Sequence, residues 1–339
     1  MRAPFPRVRI SGPITRSSWT PEGGTVETVE HHLLVRDVFR IVFFLPHDHF
    51  DLAPGVSHAL DTYLHAVEGR PGALAEYNCC WWQAFPLGER GWELIRDTLN
   101  PKERAFFEDY PAHKARSAEK DGASPYFILH GARESGYCFD YRARIPFRET
   151  PPNFVSVLRV TLPTEFLEER GPGFMREWVL DMASRLSFAS GHAGLALDVA
   201  PVCVECPPDL RALMTRHPGF DLRNATIHDF MGAQVDGVHW LNFLGQPMLG
   251  ELGGVAGLRA RLSSPTTSVQ EWGEERAIVT LGPWPEAGDL LQGEALPAYR
   301  ELARVLEPWL EPFDPGFLSC SAHSGNESAR LQWWKRFLA

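Results

Sequence analysis

The 339-residue sequence predicts an α+β fold with a mixed, largely antiparallel sheet and packed helices. Three observations support this fold class. Strand-like segments are joined by hairpin signals in some places and by amphipathic helices in others, as in α+β proteins. Several of these segments are apolar on both faces, which indicates strands buried inside a sheet. Aromatic residues form 12% of the chain, enough to build a large core without disulfides.

The two halves of the chain differ in charge. Residues 1–150 contain 18 basic and 20 acidic side chains, and residues 151–339 contain 15 and 23, so most of the net charge of -10 lies in the second half. Pro151 and Pro152 mark the junction. We predict an N-terminal α+β half (1–150) and a C-terminal α+β half (151–339), packed as one globular unit. Each half has strands, a helix and a hairpin, as expected for two related halves.

The first half begins with two predicted strands and a helix. Thr25–Val35 and Val38–Leu45 should meet at Arg36 and Asp37, and the second strand is apolar on both faces. Ser57 is the predicted N-cap of the helix, because apolar residues follow it with helical spacing. These residues are Leu60, Tyr63, Leu64 and Val67.

Hairpins are predicted in both halves. Tyr126–His130 and Tyr137–Ile145 are strand-like and flank Gly136, whereas Thr267–Trp272 and Arg276–Leu281 flank Gly273. Glycine between two short apolar runs is typical of hairpin turns. The two hairpins favour antiparallel pairing.

The second half also contains predicted helices. Phe154 begins a strand, and Thr164 caps a helix that is broken at Gly171–Gly173 and then continues with an apolar face. A short helix is predicted at Asp209–Arg216. Another begins at Pro297, since proline is favoured in the first helical turn.

Small residues and glycines surround the second-half strands. Gly191 and Gly194 precede an apolar run, which predicts close backbone packing against the preceding helix. The stretch Gly237–Gly254 predicts a buried strand, a turn and a short helix that ends at paired glycines. His239 lies between apolar residues of this strand and is predicted to be a satisfied core histidine.

The sequence contains no recognisable catalytic set. Ser190, His192 and Asp198 are close in the chain but lack the G-x-S-x-G pattern that exposes a serine nucleophile. The glycines from Gly250 to Gly257 match neither a dinucleotide fingerprint nor a P-loop. We therefore predict a protein that is not an enzyme and needs no cofactor or metal.

A metal-dependent enzyme is the alternative interpretation. His47 and His49 form an H-x-H pair, which in an extended segment places two imidazoles on one face. A metal site needs a third ligand, which folding would have to supply. The candidates for it are His31, His32, His192 and His239.

Cysteine usage and hydropathy predict a cytoplasmic protein. The six cysteines include Cys203 and Cys206 in C-x-x-C spacing, but no second pair completes a zinc ribbon, so reduced thiols are expected. No signal peptide is recognisable at the N-terminus. No segment approaches the roughly 18 continuous apolar residues of a membrane-spanning helix.

Acidic residues are the candidates for partner binding. Glu271, Glu274 and Glu275 cluster at the tip of the second predicted hairpin, and Glu251 lies at a turn between glycines. An acidic surface repels nucleic acid and anionic membranes and attracts a basic partner. Solvated carboxylates that only maintain solubility are the simpler interpretation.

Three stretches of the second half resemble the TsiV family of type VI secretion immunity proteins, which accompany VRR-Nuc nuclease effectors. They are Leu186–Leu197, Gly237–Gly245 and Leu249–Gly254. The aromatic segment Trp333–Phe337 is also similar to the family's C-terminus. The resemblance implies an antitoxin-like protein that binds a cognate nuclease in the cytoplasm and blocks its active site or its DNA groove. It implies no catalytic residues.

Overall fold

The structure, a computed structural model, describes residues 5–19, 25–79, 83–100, 126–144, 153–200, 208–223, 230–313 and 327–338. This part of the chain forms an 11-stranded sheet. The strands are β1 (Arg9–Trp19), β2 (Thr25–Leu45), β3 (Glu76–Asn78), β4 (Phe85–Pro86), β5 (Tyr126–His130), β6 (Cys138–Arg142), β7 (Ser156–Pro163), β8 (Ser190–Val199), β9 (Leu241–Leu244), β10 (Thr267–Glu271) and β11 (Ala277–Leu281).

The strands follow the spatial order β10-β11-β9-β8-β2-β7-β6-β5-β3-β4, and β1 pairs with β2 outside this path. Every ladder is antiparallel. Isolated parallel bridges join Ala196 to Asp221 and Val235 to Leu310. The predicted α+β fold class and both predicted hairpins are confirmed.

Eight α-helices are described. They are α1 (His49–Val67), α2 (Glu89–Leu99), α3 (Thr164–Ala183), α4 (Pro208–Arg216), α5 (Met248–Glu251), α6 (Gly254–Arg261), α7 (Pro297–Leu306) and α8 (Glu327–Trp334). Helix α3 is interrupted at Gly171, whose φ of 77° is left-handed, as the glycine pair predicts. Helix α1 begins eight residues before the predicted cap Ser57. Leu52, Ala53 and Val56 are buried, so tertiary packing extends the helix across Pro54.

Strand β2 is the centre of the sheet and is continuous, so the prediction of two strands meeting at Arg36 and Asp37 is wrong. The Asp37 carboxylate is fully buried, but it accepts hydrogen bonds from Val8 N at 2.9 Å and from Arg7 Nη1 at 3.0 Å. A paired buried charge does not interrupt the ladder. β2 comes from the first half of the chain and lies between β7 and β8 of the second half.

One face of the sheet is apolar. Phe39, Ile41, Phe43 and Leu45 of β2 point into the main hydrophobic core, which also contains buried side chains of α1 and α3. The rings of Phe43 and Phe243 pack edge to face with centroids 5.0 Å apart. We call this side the apolar face.

The opposite side, the charged face, combines apolar patches with buried charges. Val42 and Phe44 of β2 belong to a small separate cluster, and Leu244 and Val279 pack beneath α5, α6 and α7. Arg40, which lies on the same side of β2 as Val42, is 3% exposed. Buried guanidinium groups need partners, and these partners define the most unusual part of the molecule.

Several predictions concern residues outside the described ranges. Cys203, Cys206 and the predicted junction at Pro151–Pro152 belong to this group. Among the helices in the described ranges, none combines the length and hydropathy that a bilayer crossing requires.

Candidate functional site

A buried charge network lies on the charged face, formed by Arg40, His192, Asp221, Arg223, Asp236 and His239. Each of these side chains is less than 9% exposed. Strand β2 supplies Arg40 and β8 supplies His192, whereas the other four come from connecting segments before β9. The network therefore joins parts of the chain that are up to about 200 residues apart.

Asp236 is the centre of the network. Its Oδ2 lies 2.9 Å from His192 Nε2, and its Oδ1 lies 3.8 Å from both His239 Nε2 and Arg223 Nη1. The two imidazole rings are stacked, with centroids 3.6 Å apart and planes inclined by 24°. One carboxylate thus faces two imidazoles and a guanidinium.

Asp221 anchors the other side. Its Oδ2 lies 3.4 Å from Arg40 Nη1, which also donates to Arg223 O at 2.8 Å. The backbone of Asp221 pairs with β8, because Leu197 N donates to Asp221 O and Asp221 N donates to Leu195 O. This backbone pairing with β8 fixes the Asp221 carboxylate beside Arg40.

Two local features hold the imidazole of His239 in place. Asn242 accepts from His239 N at 2.9 Å and donates to His239 O at 2.7 Å, which fixes the backbone. A Cβ on Gly194 would lie 3.4 Å from His239 Cβ, so glycine allows β8 to approach. The predicted packing of this glycine against the preceding helix is therefore wrong. Gly194 packs against His239, and Gly191 against Phe43 of β2.

The environment shifts the pKa values of the network. Burial alone would raise the pKa of Asp236, but His192 and then Arg223 outweigh it, so this pKa lies well below its ordinary value. Burial opposes ionisation of Asp221 as well, yet Arg223 and Arg40 lower its pKa. Burial, and then His192, lower the pKa of His239 to about 4. At neutral pH the network holds two carboxylates and a neutral His239.

His239 is buried as predicted, but the prediction that it is satisfied is wrong. Its Nε2 has no hydrogen-bond partner, and neither has Nε of Arg223 or Arg40. The network is therefore stabilised by charge and stacking more than by a complete set of hydrogen bonds.

Aromatic residues at the end of α8 cover the network. The guanidinium of Arg223 lies 4.4 Å from the centroid of the Trp334 ring, and that of Arg336 lies 3.9 Å from Trp333. Arg336 Nε also donates to Pro218 O at 2.7 Å. Burial, and then the charge of Arg223, lower the pKa of Arg336 to about 9. Cation–π contacts thus join the segment Trp333–Phe337 to the charges beneath it.

The network has the side chains of a metal site but the charges of an ion-pair network. One potential ligand atom from each of His192, Asp221, Asp236 and His239 lies within 4.8 Å of the others. Both carboxylates, however, already face the guanidinium groups of Arg40 and Arg223. A divalent cation would have to compete with these buried positive charges. We interpret the group as a structural charge network.

The H-x-H pair does not form a metal site of the expected kind. His49 is buried at the start of α1, with Nδ1 3.1 Å from Tyr141 Oη and Nε2 2.8 Å from Thr98 O, whereas His47 is exposed. The expectation that both imidazoles share one face is wrong, because the chain turns into a helix here and is not extended. Within the described residues, the group of potential ligands contains neither histidine.

Three of the predicted acidic residues, Glu271, Glu274 and Glu275, lie at one end of the sheet, which we call the acidic end. Glu271 pairs with Ala277, which pairs in turn with Leu244, so the tip with Glu274 and Glu275 lies beside the end of β9. Glu251 follows seven residues after Leu244. All four carboxylates are exposed.

A groove whose wall includes the ring of Phe154, the end groove, lies at the same end. Its walls include Pro46, Arg144, Phe154, Ala189, Ala233, Gln246 and Pro247, around about 400 Å³ of space. Phe230 packs edge to face on Phe154, with centroids 5.4 Å apart, and is 55% exposed. Because Gln246 is the second residue after β9, and β9 pairs with β11, the groove is one strand away from the acidic tip.

Sequence reasoning missed Arg40, Asp221, Arg223 and Asp236 of the network, and Phe154 and Gln246 of the groove. One signal was present. Arg40 and His192 are polar residues within strands that are otherwise apolar on both faces, which indicates buried and paired polar groups. No sequence signal pointed to Asp221 or Asp236, since both precede β9 in irregular segments.

Comparison with solved structures gives a similar protein of low sequence identity. A Pseudomonas aeruginosa T6SS protein, PA0821, matches with a TM-score of 0.71 and 19% identity, over 91% of this chain and 85% of that chain. At this identity the likeness shows a shared fold. Comparison with curated protein sequences gives no match.

A protein-family model matches most of the chain. The model described as TsiV, type VI immunity for VRR-NUC, matches residues 88–337. The match covers most of the chain and contains the three stretches on which the resemblance was based. It also contains the charge network except Arg40. The chain therefore belongs to the TsiV family of type VI immunity proteins for VRR-Nuc.

Proposed function

We propose that this protein binds a cognate VRR-Nuc effector nuclease and neutralises it by occluding the active site or the DNA groove. Membership of the TsiV family is the observation that carries the proposal. The protein acts by binding, and none of its residues is assigned a catalytic role. The partner is a protein, and neither nucleic acid nor a membrane is proposed to be bound.

Charge supports a contact through the acidic end. A nuclease surface that holds DNA is positively charged, because it neutralises phosphates. Glu251, Glu271, Glu274 and Glu275 are exposed, and the last three lie at the β10–β11 turn beside the end of β9. Complementary charge accelerates association, and an inhibitor must bind its toxin before DNA does. These four residues are the proposed steering surface.

Co-expression is the direct test of the proposed function. The probe is the cognate VRR-Nuc nuclease domain, expressed from an inducible plasmid with and without the chain. We expect growth to be restored, a stable complex to co-purify, and cleavage of linear DNA by the purified nuclease to stop at equimolar protein. Unchanged toxicity together with no complex would rule the function out.

The acidic end is tested by association rate. Replacing Glu251, Glu271, Glu274 and Glu275 with Gln should lower the association rate constant about tenfold at low salt and weaken its salt dependence. The matched control replaces four exposed acidic residues elsewhere with their amides, namely Asp51, Asp61, Glu68 and Glu89. Equal rates for both variants would exclude steering by the acidic end.

A further inference from the structure

We propose that a rigid turn after β11, which presents Leu290 and Leu291 to solvent, inserts into an apolar recess on the basic surface of the nuclease. We call residues 289–294 the leucine turn. Leu291 is 80% exposed and Leu290 is 40% exposed. The inference rests on the proposed function and specifies the contact that retains the partner after the acidic end has attracted it.

The side chain of Asp289 fixes the conformation of the leucine turn. Its carboxylate accepts hydrogen bonds from Leu291 N at 3.1 Å, from Gln292 Nε2 at 3.0 Å and from Arg216 Nε at 2.9 Å. The hydrogen bonds from Arg216 lower the pKa of Asp289 to about 2, so this carboxylate is ionised at neutral pH. The backbone is closed as well, because Gln292 N and Glu294 N both donate to Asp289 O, at 2.9 and 3.0 Å.

The base of the turn is attached to the segment that follows α4. Gly219 N donates to Ala287 O at 2.8 Å, and His217 Nδ1 donates to Gly288 O at 2.5 Å. Gly288 has a φ of 66°, and a Cβ there would lie 2.8 Å from Glu294 O, so the turn closes only with glycine at this position. A turn that is fixed in advance loses little conformational entropy on binding. The apolar surface of the two leucines is therefore presented in one orientation.

The charges around the turn favour a basic partner over a second copy of the chain. Residues 282–296 contain Glu286, Asp289 and Glu294 and no basic side chain. Within the described ranges neither glutamate forms an ion pair, and burial, followed by the charge of Glu294, raises the pKa of Glu286. A symmetric dimer through the turn would bring the same patch, with these like charges, against itself. A surface that binds DNA phosphates has the opposite sign.

Strand β11 connects the leucine turn to the acidic end. The tip with Glu274 and Glu275 precedes Ala277–Leu281, and the turn follows it. Five residues of strand separate the two features by about 17 Å. An interface of ordinary size covers about 800 Å² on each partner and extends over such a distance. One nuclease domain can therefore contact both.

Isothermal titration against the cognate VRR-Nuc nuclease domain tests the leucines. Leu291→Ser should weaken binding about tenfold, and the double change Leu290→Ser with Leu291→Ser about 100-fold, because apolar area buried in the complex is lost. Leu291→Met should bind within about threefold of the wild type, since methionine conserves volume and apolar character.

Stopped-flow association with the same domain tests the two glutamates. Glu286→Gln combined with Glu294→Gln should slow association severalfold at low salt and weaken its salt dependence, because a basic partner is attracted less strongly. Dissociation of this variant should change less than dissociation of the leucine variants, whose lost contacts act mainly on the dissociation rate.

Val29→Ser is the matched control for the leucine variants. Val29 is an aliphatic residue that is 63% exposed, and it lies where β2 pairs with β1. This variant should bind the nuclease domain like the wild type. Circular dichroism and thermal melting should show that the serine variants remain folded, since the side chains they replace are exposed.

The outcomes separate the inference from the proposed function. If the wild type does not bind the nuclease domain, the proposed function fails. If the wild type binds and the double serine variant binds equally well, the leucine turn is not the anchor. An equal loss in Leu291→Met and Leu291→Ser would overturn the apolar contact, and an unchanged association rate in the glutamine variant would overturn the basic partner surface. A wild-type dimer in solution that the double serine variant dissociates would assign the turn to a second copy.

Discussion

The two faces of the sheet are stabilised by different interactions. On the apolar face, Phe39, Ile41 and Phe43 pack with the buried sides of α1 and α3. Each of these contacts contributes a part of the free energy that stabilises the fold. On the charged face, Asp236 holds two imidazoles and a guanidinium that have few other partners. Removing a methyl group from the first face leaves a small cavity. Removing a carboxylate from the second leaves uncompensated positive charge in the interior.

The largest loss of stability should come from removing the carboxylate at the centre of the charge network. Asp236→Ala is expected to destabilise the protein by about 3–5 kcal/mol, because Arg223 and His192 lose the carboxylate they face in a buried site. Urea unfolding followed by circular dichroism measures this change. A double-mutant cycle with Arg223→Met should show a coupling of about 1 kcal/mol or more. A loss below about 1 kcal/mol for Asp236→Ala would show that the charges are not interdependent.

Acid should weaken the charged face before it affects the apolar face. The pKa of His239 falls from 6.5 to about 4 in the folded protein, so the unfolded chain binds more protons between these values. The contribution of His239 to folding stability is fully present above pH 6.5 and is lost as the pH falls toward 4. The loss approaches about 3 kcal/mol.

Urea midpoints measured from pH 7 to pH 4 test this dependence. His239→Gln should flatten the profile, whereas replacing His65, whose side chain is 90% exposed, should leave it unchanged. Part of the slope should remain in His239→Gln, because burial also lowers the pKa values of His49 and His130. An unchanged slope in His239→Gln would contradict the assignment.

A conservative change on the apolar face should have a smaller effect. Ile41→Val removes one buried methyl group and is expected to cost about 1 kcal/mol. The loss should be the same at pH 7 and pH 5, since no ionisable group is involved. Urea unfolding at the two pH values provides the measurement. A strongly pH-dependent loss would mean that the two faces are coupled through β2.

The smallest effect should follow treatment with a chelator. Since Arg40 and Arg223 already neutralise the two carboxylates, EDTA should leave the thermal midpoint unchanged and added Zn²⁺ should not raise it. Differential scanning calorimetry on untagged protein, with elemental analysis, makes this measurement. Stoichiometric zinc together with a lower thermal midpoint in EDTA would show that the charge network is a metal site.

The apolar face was largely predictable and the charged face was not. Apolar residues on both sides of β2 and the glycines within α3 have local signatures, and both features are present. The buried strand predicted across Gly237–Gly245 is shorter, because only Leu241–Leu244 pairs regularly. The residues before Leu241 contribute to the charge network instead, through Asp236 and His239. His239 and Asp236 are oriented toward β8 by contacts with Asn242 and His192, which no local pattern encodes.

The candidate site also has one part that the sequence predicts and one part that it does not. Exposure of the acidic tip follows from a charged hairpin turn, and the sequence predicts it correctly. The end groove could not be predicted, because Phe154, Ala189 and Gln246 come from segments before β7, before β8 and after β9, which meet only when these strands are aligned. Local sequence determines which side chains are exposed. Strand order determines which of them become neighbours.

The central position of β2 has a consequence for the order in which the fold can be assembled. Its two neighbours, β7 and β8, are formed by residues 156–163 and 190–199, more than 100 positions later in the chain. Such non-local pairing slows folding, because a long loop must close before any contact compensates for its entropy. While the ribosome is still producing residues before 156, β1 can pair with residues 25–36 of β2, but the apolar part of β2 from Val38 to Leu45 has two open edges. This strand is the segment that a chaperone should need to protect.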